Sequence, residues 1–170
     1  MVDEQFRQSI SRLLAQLQEP DVPGQEDALS QLTELERDQT IETLVTFLTD
    51  EDGQTRGDAA EALMKIDSSR GQKEVVKLLD DVEVPLRWHI VGLLFDFGNS
   101  DVTGDLIRVL KTDESGDVRY FAACALGRIG DKSALGPLQE ASTTDNGADR
   151  EGRRVSDAAN ESIAELQSRQ

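Results

Sequence analysis

The stretch Gly116-Asp-Val-Arg-Tyr-Phe-Ala-Ala-Cys-Ala-Leu-Gly-Arg-Ile-Gly-Asp131, followed by Ala134-Leu-Gly-Pro-Leu138, decides the reading of this 170-residue chain. Within it Ala122, Ala123, Ala125, Leu126 and Ile129 recur at helical spacing. The pattern returns upstream. Moved back 32 residues, Arg119 falls on Arg87, Leu126 on Leu94, Ile129 on Phe97, Gly130 on Gly98 and Leu138 on Leu106. A further 31 residues back stand Arg56, Leu63, Ile66, Asp67 and Val75, and 31 before those Gln25, Leu32, Leu35, Glu36 and Leu44. Several columns in register across four copies, three of them apolar throughout, define an internal repeat.

Each copy reads as two helices. The first carries runs such as Ala59, Ala60, Ala62, Leu63 and Ile66; the second is shorter, as in Leu106, Ile107, Val109 and Leu110. Gly98 and Gly130 are expected to stop first helices in the left-handed conformation, with Ser100 and Asp131 placed to cap the second helices. Both ends read as half-units. Ile10, Leu13, Leu14 and Leu17 match a second helix, whereas Val155, Ala159, Ser162, Ile163 and Leu166 match a first helix, displaced by 37 residues instead of 32. The expected architecture is therefore all-α, an α-solenoid (α-α superhelix) of about four helix pairs with terminal half-repeats. One domain is expected over residues 1–170, with an N-terminal capping helix at 1–19, four helix pairs at 20–141, a mobile loop at 142–154 and a C-terminal capping helix at 155–170.

The motif Asp117-Val-Arg…Ala122-Ala…Ala125-Leu-Gly…Ile129-Gly-Asp…Ala134-Leu…Pro137-Leu resembles the short HEAT-like repeat first described in phycobilisome lyases. The resemblance covers residues 20–141 well and the ends loosely, and the first copy departs from it with Gln25 in the arginine column. It implies a solenoid whose second helices line a concave face. Some members handle bilin attachment to or removal from phycobiliproteins, and many others are interaction modules. The repeat consensus is structural, so it assigns no catalytic residue.

Composition narrows the function classes. The chain holds 34 acidic and 18 basic residues for a net charge of −16, and aromatics make up only 4%. Such a chain repels nucleic-acid phosphates unless its bases cluster. The one tight basic group, Arg150, Arg153 and Arg154, is interrupted by Glu151 and preceded by Asp149, so no nucleic-acid partner is expected. No apolar stretch approaches the ~20 residues of a membrane span, and no signal-like apolar core follows Met1. With Cys124 as the only cysteine, a cytoplasmic location is expected. Asp (19) exceeds Glu (15) and Arg (13) exceeds Lys (5), a balance that favours salt adaptation over a dedicated site for a basic partner.

Comparing copies column by column singles out candidate residues. One column reads Glu26, Gly57, Trp88, Tyr120, Asp157, and the next Asp27, Asp58, His89, Phe121, Ala158. The two central copies thus concentrate rings where other copies place polar or small residues. Trp88, His89, Tyr120 and Phe121 are the candidate partner-binding patch; the alternative is that these rings cover the neighbouring repeat or are themselves covered by the 142–154 loop. Arg56, Arg87 and Arg119 form a ladder, read as structural, with Asp52, Glu83 and Asp117 as available partners; an anion is the other reading. Cys124 is read as packing, though Arg128 one turn on could activate a thiol. One Cys and one His (His89) cannot close a zinc site. No catalytic residue, metal or cofactor is expected. The function expected is a non-enzymatic protein–protein interaction scaffold with a protein partner; the alternative is a bilin-lyase-type accessory handling a bilin or other flat ligand.

Overall fold

The structure, a computed structural model, describes residues 4–18, 22–35 and 37–169. The expected boundary between capping helix and first pair at residues 19 and 20, and the Glu36 position of the first copy, lie outside the described residues. The chain forms two compact units, Met1–Val75 and Val76–Gln170. The first holds α1 (Glu4–Leu17), α2 (Val22–Glu34), α3 (Arg37–Phe47), α4 (Gly53–Ile66) and α5 (Ser68–Val75). The second opens on a 3-10 turn (Val76–Asp80). It continues through α6 (Val84–Phe97), α7 (Thr103–Thr112), α8 (Gly116–Ile129), α9 (Leu135–Thr144) and α10 (Val155–Ser168). Short 3-10 turns, Ser100–Val102 and Lys132–Ala134, lead into α7 and α9. Among the described residues the only β-type pairing is an isolated bridge between Ala148 and Arg154.

The repeat register sets the core. Leu32, Leu63, Leu94 and Leu126 are fully buried on the first helices, and Leu44, Val75, Leu106 and Leu138 on the second helices. The third apolar column sits at the ends of first helices and is only half covered; its Phe97 is 39% exposed. The alanines of α4 and α8 are small enough for neighbouring helices to pack closely. Ala122, Ala123 and Ala125 have no exposed surface, and Gly127 of α8 lies directly against Ser162 of α10. The opposite face of α10 carries exposed Asp157, Asn160, Glu161 and Glu165, as a capping helix requires.

Helix ends differ from expectation in one respect. Gly98 and Gly130 do cap α6 and α8, but with φ of −78° and −66°, not in the left-handed region. Glycine is favoured there by proximity: a Cβ would lie 2.5 Å from the carbonyl oxygens of Leu94 and Leu126, respectively. The chain then turns into the second helices through Asn99 and Asp131. Their side chains accept from the backbone N–H groups of Asp101 and Ser133, respectively, both at 2.8 Å. Asn99, not Ser100, is thus the cap in its copy. Asp52 caps α4 through the Thr55 N–H at 2.8 Å.

Candidate functional site

The ladder arginines tie each first helix to the turn before it. The Nη1 of Arg56 donates to the carbonyls of Asp50 (2.8 Å) and Glu51 (3.1 Å). Arg87 does the same to Asp81 (2.8 Å), and Arg119 to Asp113 (2.9 Å) and Glu114 (3.1 Å). In the second unit the remaining guanidinium edge grips the next turn. Arg87 reaches Asp113 through Nε (2.7 Å) and Nη2 (3.0 Å), and Arg119 reaches Asp145 at the same two distances. These bidentate pairs, set against the opposing effect of burial, raise both guanidinium pKa values above the ordinary one. The acids belong to a column that the sequence reading passed over. Asp50, Asp81, Asp113 and Asp145 each accept the N–H two residues on, at 3.1, 2.9, 2.8 and 2.7 Å. The signal was present as four aspartates one repeat apart. Of the partners suggested from sequence, Asp52 caps α4 and Asp117 instead receives Arg150.

The rings of the candidate patch come together in the second unit. Trp88 of α6 and Phe121 of α8 meet edge to face at 5.3 Å, and Tyr120 and Phe121 at 5.6 Å. His89 is half-buried beside Trp88 on α6. Two arginines lie over this cluster. The Arg150 guanidinium stands 5.3 Å from the Trp88 ring centroid, and that of Arg153 stands 4.6 Å from Tyr120 and 5.9 Å from Phe121. Trp88, Tyr120 and Phe121 are consequently half-buried, and the Nε1 of Trp88 is buried with no hydrogen-bond partner among the described residues.

Both arginines come from the segment read as a mobile loop. Residues 142–144 continue α9, and residues 145–154 form a turn organised around Asp149, whose side chain is 1% exposed. Its Oδ1 accepts from the N–H groups of Glu151 (3.0 Å) and Arg153 (2.9 Å), and its Oδ2 from Arg153 Nε (2.6 Å). Gly152 takes φ of +80°, a conformation open to glycine but costly for most residues. Gly116 lets the turn approach α8: a Cβ there would overlap the Ala148 carbonyl oxygen.

Several carboxyls are held below their ordinary value. For Asp145 the main cause is the Arg119 hydrogen bond, and for Asp131 those from Ser133. At Asp149 burial pushes upward, but the bonds from Arg153 and Glu151 prevail. Such groups bind protons less readily folded than unfolded. Their stabilisation is complete above the ordinary carboxylate range, near pH 4, and is lost as pH falls through their lower folded values. Thermal midpoints of wild type and Asp145→Asn, measured from pH 7 down to pH 2, should differ most near neutrality and converge below about pH 4. A constant difference would refute this contribution.

Cys124 is half-buried, and burial first, then the Glu161 charge, raises its pKa. Arg128 stacks on Phe95 at 4.5 Å. The thiol thus lacks the electropositive setting of a reactive cysteine. Two clefts open between consecutive second-helix elements of this unit. One of about 410 Å³ between α7 and α9 is lined by Leu110, Pro137 and Ala141, by the carboxylates Asp113, Glu140 and Asp145, and by Lys111 and Arg119. The other, about 250 Å³, lies between the Val76–Asp80 turn and α7 and is lined by Asp80, Asp113 and Glu114 together with Arg87 and Arg108. Among the described residues no group of three or more His, Cys, Asp or Glu could hold a metal ion, and no helix is long and apolar enough to cross a membrane.

Helix pairs repeated in register place the protein among the α-solenoids of armadillo and HEAT type. The chain belongs to the HEAT repeat family, whose model matches residues 10–87 and 73–156. No curated protein matches its sequence. Among solved structures it is similar to the complex of CpcE and CpcF of phycocyanin lyase from Nostoc sp. PCC7120, with 20% identity and a TM-score of 0.61 over 94% of this chain and 65% of that one. A crystal structure of an engineered protein shares 22% identity at a TM-score of 0.56, over 94% and 79% of the two chains. A designed armadillo repeat protein in complex with the peptide (KR)4 shares 17% at 0.55, over 92% and 81%. The chain spans just under two thirds of the lyase chain and 47% of a second engineered protein. These likenesses show the fold.

Proposed function

We propose that this protein is a non-enzymatic interaction scaffold of the cytoplasm, holding a partner protein along the second helices of its C-terminal unit. The observation that carries the reading is the pair of successive clefts of about 410 and 250 Å³, one repeat apart, each lined by a few apolar side chains and by carboxylates that Lys111, Arg119, Arg87 and Arg108 pair from within the chain. A framework cross-linked by the Arg87–Asp113 and Arg119–Asp145 pairs holds such clefts in shape before binding, which lowers the ordering cost. The exposed Glu114 and Glu140 side chains and the net charge of −16 favour a partner segment bearing basic residues. A similarly folded designed protein is in complex with (KR)4, which is consistent with that chemistry. The bilin-handling alternative has the fold likeness to the phycocyanin lyase complex in its favour and no observation in this chain's own clefts.

Affinity capture from the source lysate with wild type and a Glu114→Lys/Glu140→Lys double variant tests the proposal. A partner held by wild type should drop by at least about tenfold with the variant, whose exposed side chains break only the surface Lys111–Glu140 pair and the long Arg87–Glu114 contact, so that wild-type helicity is kept. Equal recovery with both proteins would move the site away from the clefts. Spectral change on adding a bilin, with no partner captured, would favour the alternative.

A further inference from the structure

The segment at residues 145–154 does something the repeat does not require, since it carries the extra length of a 37-residue step where the other steps are 31 or 32. It inserts two guanidinium groups over rings present only in the two copies it contacts. Arg150 lies over Trp88 and donates its backbone N–H (2.8 Å) and Nε (3.3 Å) to Asp117 of α8. Arg153 lies over Tyr120 and Phe121. Edge-to-face rings beside a carboxylate on a fixed helix are the chemistry that receives a cationic side chain. We infer that Trp88, Tyr120, Phe121 and Asp117 form a cation-binding site that the chain fills with its own Arg150 and Arg153. Its occupant in trans is a partner segment carrying two arginines or lysines three residues apart.

Three observations support an occupant from outside. The arginines are on the solvent side of the contact, with Arg150 64% and Arg153 46% exposed, and when Arg153 leaves, the buried Asp149 carboxylate keeps the N–H groups of Glu151 and Arg153. The buried Trp88 Nε1 has no hydrogen-bond partner under the present cover, and leaving a buried donor unsatisfied is costly; a partner's backbone carbonyl would satisfy it. A chain of net charge −16 also draws basic segments toward it. The tethered arginines act at high effective concentration, so a free segment binds well only once they are displaced. The inference extends the scaffold reading to a second surface, on the first helices and distinct from the clefts.

The sole tryptophan reports directly on the site. The probe is a blocked hexapeptide with the sequence of residues 149–154, titrated into the full chain while Trp88 emission and acrylamide quenching are followed. Arg150→Ala/Arg153→Ala should expose Trp88 to quencher and respond saturably to the peptide. Wild type should respond about tenfold more weakly because its own arginines compete. Adding Asp117→Asn should abolish the response. Gly116→Val provides a route that leaves rings, arginines and Asp117 intact, because its side chain displaces the Ala148 carbonyl and lifts the segment; it should behave like the double variant. Equal responses in wild type and both unlatched forms, or none in any of them, would overturn the inference. So would loss of helicity in both unlatched forms, which would make the segment part of the fold's support. Glu114→Lys/Glu140→Lys should leave the peptide response unchanged, so failure here and failure of the cleft reading are separable.

Discussion

Gly127→Val should lower the thermal midpoint by about 10 °C, from a loss of roughly 3 kcal/mol. The cause is local and leaves little room for relaxation. A Cβ at position 127 would stand 2.7 Å from both Cβ and Oγ of Ser162 and 2.8 Å from its Cα, so part of the obstacle is the backbone of α10. Rotating the Ser162 side chain cannot clear it; α10 must move away from α8. That movement would loosen Val155, Ala159 and Leu166, all buried on the same helix. Gly127→Ala alone should cost about half as much, and Ser162→Gly should restore part of the loss because it removes two of the three close atoms. Calorimetry on the four proteins tests the claim. A Gly127→Val midpoint within about 2 °C of wild type would show that the two helices have slack.

Arg87→Met should be nearly as damaging, at about 3 kcal/mol. The Arg87 and Asp113 side chains are 8% and 5% exposed, so removing the guanidinium leaves a carboxylate with little access to water and strands the carbonyl of Asp81. Replacing both, as Arg87→Met/Asp113→Leu, should recover much of the loss, because the expense lies in the unpaired charge and not in the absent pair. Arg119→Met should cost less, since Arg119 and Asp145 are 17% and 14% exposed and water can substitute. Urea unfolding gives the order directly. If Arg119→Met proved the worse of the two, burial would not be what sets the scale.

The parts of this fold legible in the sequence are those written once per copy. Leu126 and Leu138 with their counterparts 31 or 32 residues apart declare the two helices of each pair, and all eight of these residues are buried. Arg119 was visible as a column, but its partner was sought among neighbours in the chain. The true partner, Asp145, lies 26 residues on, across a whole helix pair, where only the fold brings it back. The glycines misled for a related reason: Gly98 and Gly130 were read as left-handed stops, while what they supply is the absence of a side chain beside a carbonyl. The ring cluster was found because other copies offered a comparison. The sequence named residues 142–154 as a candidate cover for these rings but not how the segment holds its shape, since a polar, glycine-containing stretch looks mobile until Asp149 is seen to collect its hydrogen bonds.

The Arg–Asp links also bear on how such a chain can change length. Arg87 and Arg119 each bind the turn before their own helix and the aspartate of the turn beyond, so a 32-residue block cut at equivalent points in two turns contains one donor and one acceptor of the link. A duplicated block inserted at that point finds an aspartate waiting on one side and an arginine on the other. Unequal recombination between copies can therefore lengthen or shorten the array in whole steps without compensating substitutions, whereas an insertion of any other length inside a helix breaks the register at once.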